Sequence, residues 1–329
     1  MIPSATPNGL ANIAVVIAAF NAETTVDLAV RSALAESETL EVWVIDDAST
    51  DATARVAESC DDGSGRLRVI RQAANGGPSA ARNVALAATR AEWICVLDAD
   101  DGFAPGRLGR LLAEADGAEM VADAITRVSA FDGTATFHPQ DTPQAASLWA
   151  TVSLADFIEG NVSRRGRHRE ELGFIKPLMS TVFLRRHRIE YAPRLRLGED
   201  FLLYAQVLAH GGRLRLGPPC GYIALTRPDS LSGRHTIDDL EALRDCTRNL
   251  EGIRTLTAPE RRAVRRHWRS VDDRLQWRRL IEAVKARDAR AALKTFHDPA
   301  SALNLLKNLA GQAWLRGPGR VGRRAGSGL

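Results

Sequence analysis

A chain of 329 residues with 45% hydrophobic and 26% charged side chains has the composition of a globular protein large enough to bury a sizeable core. It has no run of about 18 apolar residues, the start "MIPSATPNGLAN" lacks the basic residues of a signal peptide, and four scattered cysteines (Cys60, Cys95, Cys220, Cys246) form no C-x-x-C pair. A membrane span, a zinc or disulfide framework and export are therefore not expected, and a reduced cytoplasmic setting is.

In chain order, "NIAVVIAAF" (12–20) predicts a buried strand, and 21–36 predicts a helix with Asn21 as its cap. "LEVWVID" (40–46) predicts a second strand and 49–59 a second helix, capped by Ser49 or Thr50. "RLRVIRQ" (66–72) is a third strand, 76–90 a third helix with Pro78 in its first turn, and "EWICVLD" (92–98) a fourth strand. Strands alternating with helices, the strands buried in appearance, predict a parallel sheet wrapped by helices. Shorter strands follow in "EMVADAITRVSAF" and "GTATFH". A helix over 199–212 stops at glycine, and 213–227 gives one or two strands broken at Pro218 and Pro219. Beyond about 236 the pattern is helical, ending in "RGPGRVGRRAGSGL", whose composition predicts disorder.

The net charge of +4 is unevenly spread: residues 261–329 hold 17 Lys and Arg against 5 acids, the remainder 27 against 35. A basic tail bearing Trp268, Trp277 and Trp314 suits an anionic partner, either membrane headgroups or nucleic acid, or is simply a solvated arginine-rich surface.

Ligands of wound sheets bind beyond the carboxyl ends of the strands. Asp46, Asp47, Asp98, Asp100 and Asp101 all fall there. Like charges so close need a cation, a proton or an exposed turn. Hard carboxylate donors on a tight turn suit Mg²⁺ or Mn²⁺; an acidic surface turn is the alternative. Asp46 and Asp47 can accept hydrogen bonds from a base or ribose, or serve only as caps. "NGGPSAARN" (75–83) opens a helix with two glycines, so its amides, with Arg82 and Asn83, can face a phosphate or form only a turn. Glu199 and Asp200 start a helix, where the dipole favours acids, and one of them is a candidate general base. His235 can be read as a metal donor, but an ordinary loop histidine is the better expectation.

In this order the stretches "VVIAAFNAETTVDLAVRSALA", "EVWVIDDASTDAT", "NGGPSAARNVALAATRAEWICVLDADD", "LGEDFLLYAQVLAHGG" and "YIALTRPDSLS" resemble the family-2 glycosyltransferases of the GT-A fold. The resemblance is dense over about 13–116 and patchier to about 235. The details look most like bacterial exopolysaccharide glucosyltransferases of the succinoglycan-assembly type. It implies an α/β fold, a mixed sheet flanked by helices, in a domain over 1–235 with a donor half (about 10–126) and an acceptor half (about 127–235). A helical basic extension over 236–329 follows. It also implies a UDP-sugar donor, Mg²⁺ or Mn²⁺, and a glycan or polyprenyl-linked oligosaccharide acceptor at the inner membrane face. Nucleic acid is not an expected partner.

Carried over residue by residue, Ala18, Ala19, Phe20, Asn21 and Glu23 would border the nucleotide, and Asp47 would meet uracil or ribose with Asp46 beside it. Arg82 would lie toward the donor phosphates. Asp98, Asp100 and Asp101 match the D-x-D(-D) metal element, with Asp100 foremost. Asp200 matches the catalytic base, with Glu199 its neighbour. Ala18 and Phe20 replace the Pro and Tyr of many members, so a hydroxyl is missing at Phe20. Lys176, Arg227 and Arg234 can contact a pyrophosphate, although solvated surface is the expectation for each. The alternatives are a nucleotidyltransferase, which lacks its Gly-rich, Lys-containing loop here, or a sugar-nucleotide-binding module.

Overall fold

The computed structural model describes residues 12–129, 148–162, 172–226 and 236–316. The apolar run Ile13–Ala19 is β1, followed by α1 (Val26–Leu34), β2 (Thr39–Asp46), α2 (Thr53–Glu58), β3 (Leu67–Arg71), α3 (Pro78–Ala88) and β4 (Trp93–Val96). These strands lie in the order β3-β2-β1-β4, all parallel. Both faces of β1 are buried because successive side chains enter different cores. Ala14 and Val16 meet Ala81 and Ala85 of α3, while Val15 and Ile17 meet Val26 and Val30 of α1.

Two helix starts differ from expectation. The first helix begins at Val26, because Asn21 adopts φ +51° and the loop 21–25 turns away before the helix opens. The second begins at Thr53; Ser49 and Thr50, expected as its caps, hydrogen-bond Asn21 instead.

The chain continues with β5 (Gly102–Phe103), α4 (Arg107–Ala113), β6 (Met120–Asp123), β7 (Thr126–Val128), β8 (Ala150–Val152), α5 (Leu154–Gly160), β9 (Leu178–Ser180), α6 (Thr181–His187), α7 (Glu199–Ala209), β10 (Leu214–Gly217) and β11 (Tyr222–Leu225). Among the described residues the main sheet extends as β4-β9-β6-β10-β8. In it β9 runs antiparallel to β4 and β6, so the sheet is mixed. The segments that follow β4, β6 and β10 form a second sheet, β5-β11-β7. It therefore belongs to the carboxyl-end rim where ligands of such sheets bind. The expected strand in "GTATFH" lies outside the described residues.

Beyond Thr236 come α8 (Ile237–Asn249), a short 3-10 turn, α9 (Ala258–Lys285), α10 (Ala289–Lys294) and α11 (Pro299–Arg316). Reciprocal capping boxes, Thr236 with Asp239 and Thr257 with Glu260, start α8 and α9 by satisfying their first amides. Leu240, Leu243, Val264, Val271 and Leu275 share one apolar cluster with Phe157 of α5 and Phe201 of α7. His267 stacks on Phe201 with 4.2 Å between ring centroids. The extension is thus docked against α5 and α7, although in sequence it reads as a basic helical tail.

Candidate active site

The carboxyl ends of β1, β2 and β4 are brought side by side by ladder bonds: Asp47 N–H donates to Ala19 O at 2.8 Å, and Leu97 N–H to Val16 O at 2.9 Å. Ala19 is buried, Ala18 half-buried, and Phe20, Asn21 and Glu23 are exposed along this rim, with Phe20 at 49%. The loops after β1 and β2 are laced together. Asn21 N–H donates to Ser49 Oγ, Thr50 N–H to Asn21 Oδ1 and Ala52 N–H to Glu23 Oε2, each at 2.9 Å.

Asp46 is buried; its Oδ1 accepts from Ser49 N–H at 2.9 Å, and its Oδ2 lies 3.5 Å from Arg71 Nε. Asp47, expected at the uracil or ribose, has a structural duty. Its two oxygens accept from Gly76 N–H at 2.8 Å and Gly77 N–H at 2.7 Å. Those amides are therefore committed to a carboxylate, not to a phosphate. Asn83, expected beside them, pairs with the backbone of Tyr191 through both its amide atoms.

The candidate acids converge further along the rim. Asp98, two residues beyond β4, and Asp200, in the first turn of α7, are joined by two cations into a ring. Arg82 on α3 gives Nη2 to Asp98 Oδ1 and Nη1 to Asp200 Oδ1, each at 3.0 Å. Lys176, just before β9, places Nζ 3.0 Å from Asp98 Oδ2 and 2.7 Å from Asp200 Oδ2. Arg82 Nη1 also reaches Glu199 Oε1 at 3.0 Å. Arg82, expected toward the donor phosphates, thus spends its terminal nitrogens on carboxylates, with Tyr191 beneath its guanidinium at 5.3 Å. Three acids against two cations leave the ring one negative charge in excess.

The ring is nearly dry, since Arg82, Lys176 and Asp200 are each about one-twentieth exposed; Asp98, at 34%, opens it to solvent. Desolvation acts to raise the Asp98 carboxyl, but Lys176 and then Arg82 outweigh it and hold it below its ordinary range. Burial acts against the charge on Lys176, yet Asp200 and Asp98 raise its pKa and keep it protonated.

The turn 98–101 is fastened from the second sheet. The Tyr222 hydroxyl donates to Asp101 Oδ2 at 2.7 Å and accepts from Asp98 N–H at 3.3 Å, while Leu225 N–H donates to Asp101 Oδ1 at 2.9 Å. Asp101, expected among the metal ligands, is buried and committed to these two donors. Burial, and then repulsion from Asp98, push its carboxyl up to about 7. Asp98, 34% exposed with its oxygens against Arg82 and Lys176, and the half-exposed Asp100 are the other two acids of this turn. Among the described residues no three His, Cys, Asp or Glu side chains converge as a metal cluster. A pair of hard carboxylates beside an excess of negative charge nevertheless fits a divalent cation that keeps several waters.

Behind the turn, Arg107 and Asp123 form a fully buried ion pair at 2.7 Å. Arg107 also donates to Lys176 O at 2.6 Å, and Asp123 Oδ2 accepts from Cys220 N–H at 3.0 Å and Tyr222 N–H at 3.1 Å. Burial opposes ionisation of Asp123, and Arg107 overcomes it, so the carboxyl stays below its usual range.

Lys176, for which sequence reasoning favoured solvated surface, is therefore an integral part of the site. Arg227, Arg234 and His235 lie outside the described residues.

A family model described as "Glycosyl transferase family 2" matches residues 14–186. The succinoglycan biosynthesis protein ExoU of Rhizobium meliloti (strain 1021) is 46% identical over 271 residues, covering 82% of this chain and 78% of that protein. ExoO of the same organism is 35% identical over 86% of this chain and 80% of its own length. Among solved structures, S. aureus TarS 1-349 in complex with UDP-GlcNAc superposes with a TM-score of 0.61 at 18% identity, over 91% of this chain and 92% of that one. The mannosyltransferase PcManGT from Pyrobaculum calidifontis, in complex with GDP-Man and Mn²⁺, superposes at 0.54 with 16% identity, over 94% and 84%. The chain belongs to glycosyl transferase family 2 and is a glycosyltransferase of GT-A fold.

Proposed function

We propose that this enzyme transfers a sugar, glucose in our reading, from a UDP-sugar to a growing polyprenyl-linked oligosaccharide, with inversion, in assembly of a succinoglycan-type exopolysaccharide. One observation carries the mechanism: Asp98 at the donor rim and Asp200 at the start of α7 belong to a single ion-pair ring that opens to solvent through Asp98. The names of the 46% and 35% identical relatives support the product class, and the nucleotide-sugar complexes of the structural neighbours support the donor class.

In this reading Phe20 offers its exposed ring to the base, beside Ala18, Ala19, Asn21 and Glu23. Asp100 and Asp98 would hold a divalent cation, Mg²⁺ or Mn²⁺, which when bound neutralises charge developing on the departing diphosphate. Each Asp200 oxygen already accepts one hydrogen bond and keeps a lone pair. One of these takes the proton of the acceptor hydroxyl as that oxygen attacks the anomeric carbon. The bond to the diphosphate breaks on the opposite face, and an α-linked donor yields a β-linkage. Glu199 helps hold Arg82, and through it Asp200.

Asp200→Asn is expected to lower turnover by about 10²–10⁴-fold with the fold intact, and Asp100→Ala to lose activity with weakened Mn²⁺ dependence. Nucleotide release from several UDP- and GDP-sugars, with and without EDTA, checks donor and metal together. Near-normal transfer by Asp200→Asn would remove the base assignment, and activity indifferent to chelator would remove the metal role.

We also propose that the enzyme docks at a membrane surface. Among the described residues no helix is long and apolar enough to cross a membrane. However, α11 buries Ser301 and Leu305 while Leu303, Leu306 and Leu309 face out, and Leu293 of α10 is 73% exposed. Lys294 and Lys307 are exposed among them. Outward leucines interleaved with lysines suit an anionic lipid surface, which takes both the apolar face and the charge.

A further inference from the structure

A buried lysine is rare because its charge is expensive to desolvate, and it survives only where acids surround it. Lys176 meets that condition, but its geometry does more than balance charge. Arg82 by itself already bonds all three acids of the ring. What Lys176 adds is a second point of support for Asp98, at 3.0 Å, and, by the shorter of its two contacts, for Asp200. Arg82 holds Oδ1, and Lys176 holds Oδ2 at 2.7 Å. A carboxylate held at one oxygen can still rotate about Cβ–Cγ; held at both, it presents its free lone pairs in one direction.

The support is itself rigid. Tyr204, one turn after Asp200 on α7, donates its hydroxyl to Ile175 O at 3.0 Å. Arg107 donates to Lys176 O at 2.6 Å from the other side, and Pro177 follows. The backbone that carries Lys176 is thus clamped to the helix that carries its target and to the buried pair behind the acidic turn. We propose that Lys176 is a positioning residue for the transfer step, fixing the Asp200 carboxylate toward the acceptor. This rests on the reading of Asp200 as the base.

Lys176→Met, of similar length and apolar, tests it, together with Lys176→Arg and the double variant with Asp200→Asn. Because the clamps act on the backbone of residues 175 and 176, they persist in all three variants. Lys176→Met is expected to lower kcat by about 10–100-fold, the scale of a misplaced reacting group. KM for the donor and the Kd for UDP are expected to change less than kcat, because Arg82 still holds Asp98 Oδ1 when Lys176 leaves Oδ2, and Lys176→Arg to recover part of kcat. In the Asp200→Asn background Lys176→Met is expected to cost nothing more, because a residue acting through Asp200 has nothing left to position.

Unchanged kcat per folded molecule in Lys176→Met, with only a lowered Tm, would overturn the proposal. So would losses that multiply in the double variant, or a loss confined to UDP binding. Should Lys176→Met fail to fold, the kcat of Lys176→Arg alone and in the Asp200→Asn background gives the same comparison. Full activity of Asp200→Asn by itself would instead sink the base reading, a separate result.

Discussion

Tyr222 does two jobs with one hydroxyl, donating to Asp101 and accepting from the amide of Asp98. Its own amide is held by Asp123, whose partner Arg107 stacks over its ring at 5.1 Å. At this scale the acids of the carboxyl-end rim were legible because aspartates following apolar strands are conspicuous in any sequence. Lys176 was not, because nothing in a local window distinguishes a buried lysine from a solvated one; the acids that bury it are 78 and 24 residues away. Arg107 was silent for the same reason. Its replacement by Met should leave Asp123 as an uncompensated buried charge and cost about 3–5 kcal/mol. The denaturant midpoint checks this, and a loss below about 1 kcal/mol would show that water or relaxation compensates Asp123.

At the scale of elements, α3 shows how a motif can be placed from sequence while its task stays open between two readings. The adjacent glycines do open the helix, and Gly77 uses its freedom at φ +82°, but their amides are taken by Asp47. The carboxyl end of β2 is thereby pinned to the start of the helix that carries Arg82. Asp47→Ala would free two amides, one of them buried, and should destabilise the protein by roughly 1–3 kcal/mol or more. Retained stability together with a large rise in the donor KM would return Asp47 to the nucleotide. The longer elements were readable, β1 and β2 as apolar runs and α1, α3 and α7 from their helical patterns and end signals. Between β6 and α7 the elements run to only three to seven residues, too short for a period to declare itself, and β9 pairs antiparallel with strands more than 50 residues earlier.

For the whole molecule, the decisive change is in the helical extension. Composition marks it as basic, yet many of its charges are internally answered: Arg244 with Asp272 at 3.3 Å, Arg254 with Glu260 at 2.8 Å, Arg279 with Glu241 at 2.8 Å. Because α8 and α9 contribute to the shared core, removing them would expose that core rather than delete an appendage. Membrane docking is therefore tested by substitution: Leu303→Ser with Leu306→Ser should abolish flotation with anionic vesicles, leaving Tm and transfer to a soluble acceptor unchanged. Flotation equal to that of the unsubstituted protein would exclude α11 as the docking face.

The sequence by itself determined the wound parallel half, the rim where its acids gather and the family. Strand and helix periods, and a run of motifs in register, are local properties that survive without coordinates. Only the tertiary structure decided which donors hold each carboxylate, tying Asp47 and Asp101 into the frame and joining Asp98 and Asp200 in one ring. A carboxylate's role is set by the donors that reach its oxygens, and here the donors to Asp47, Asp98, Asp101 and Asp200 come mostly from segments distant in the chain.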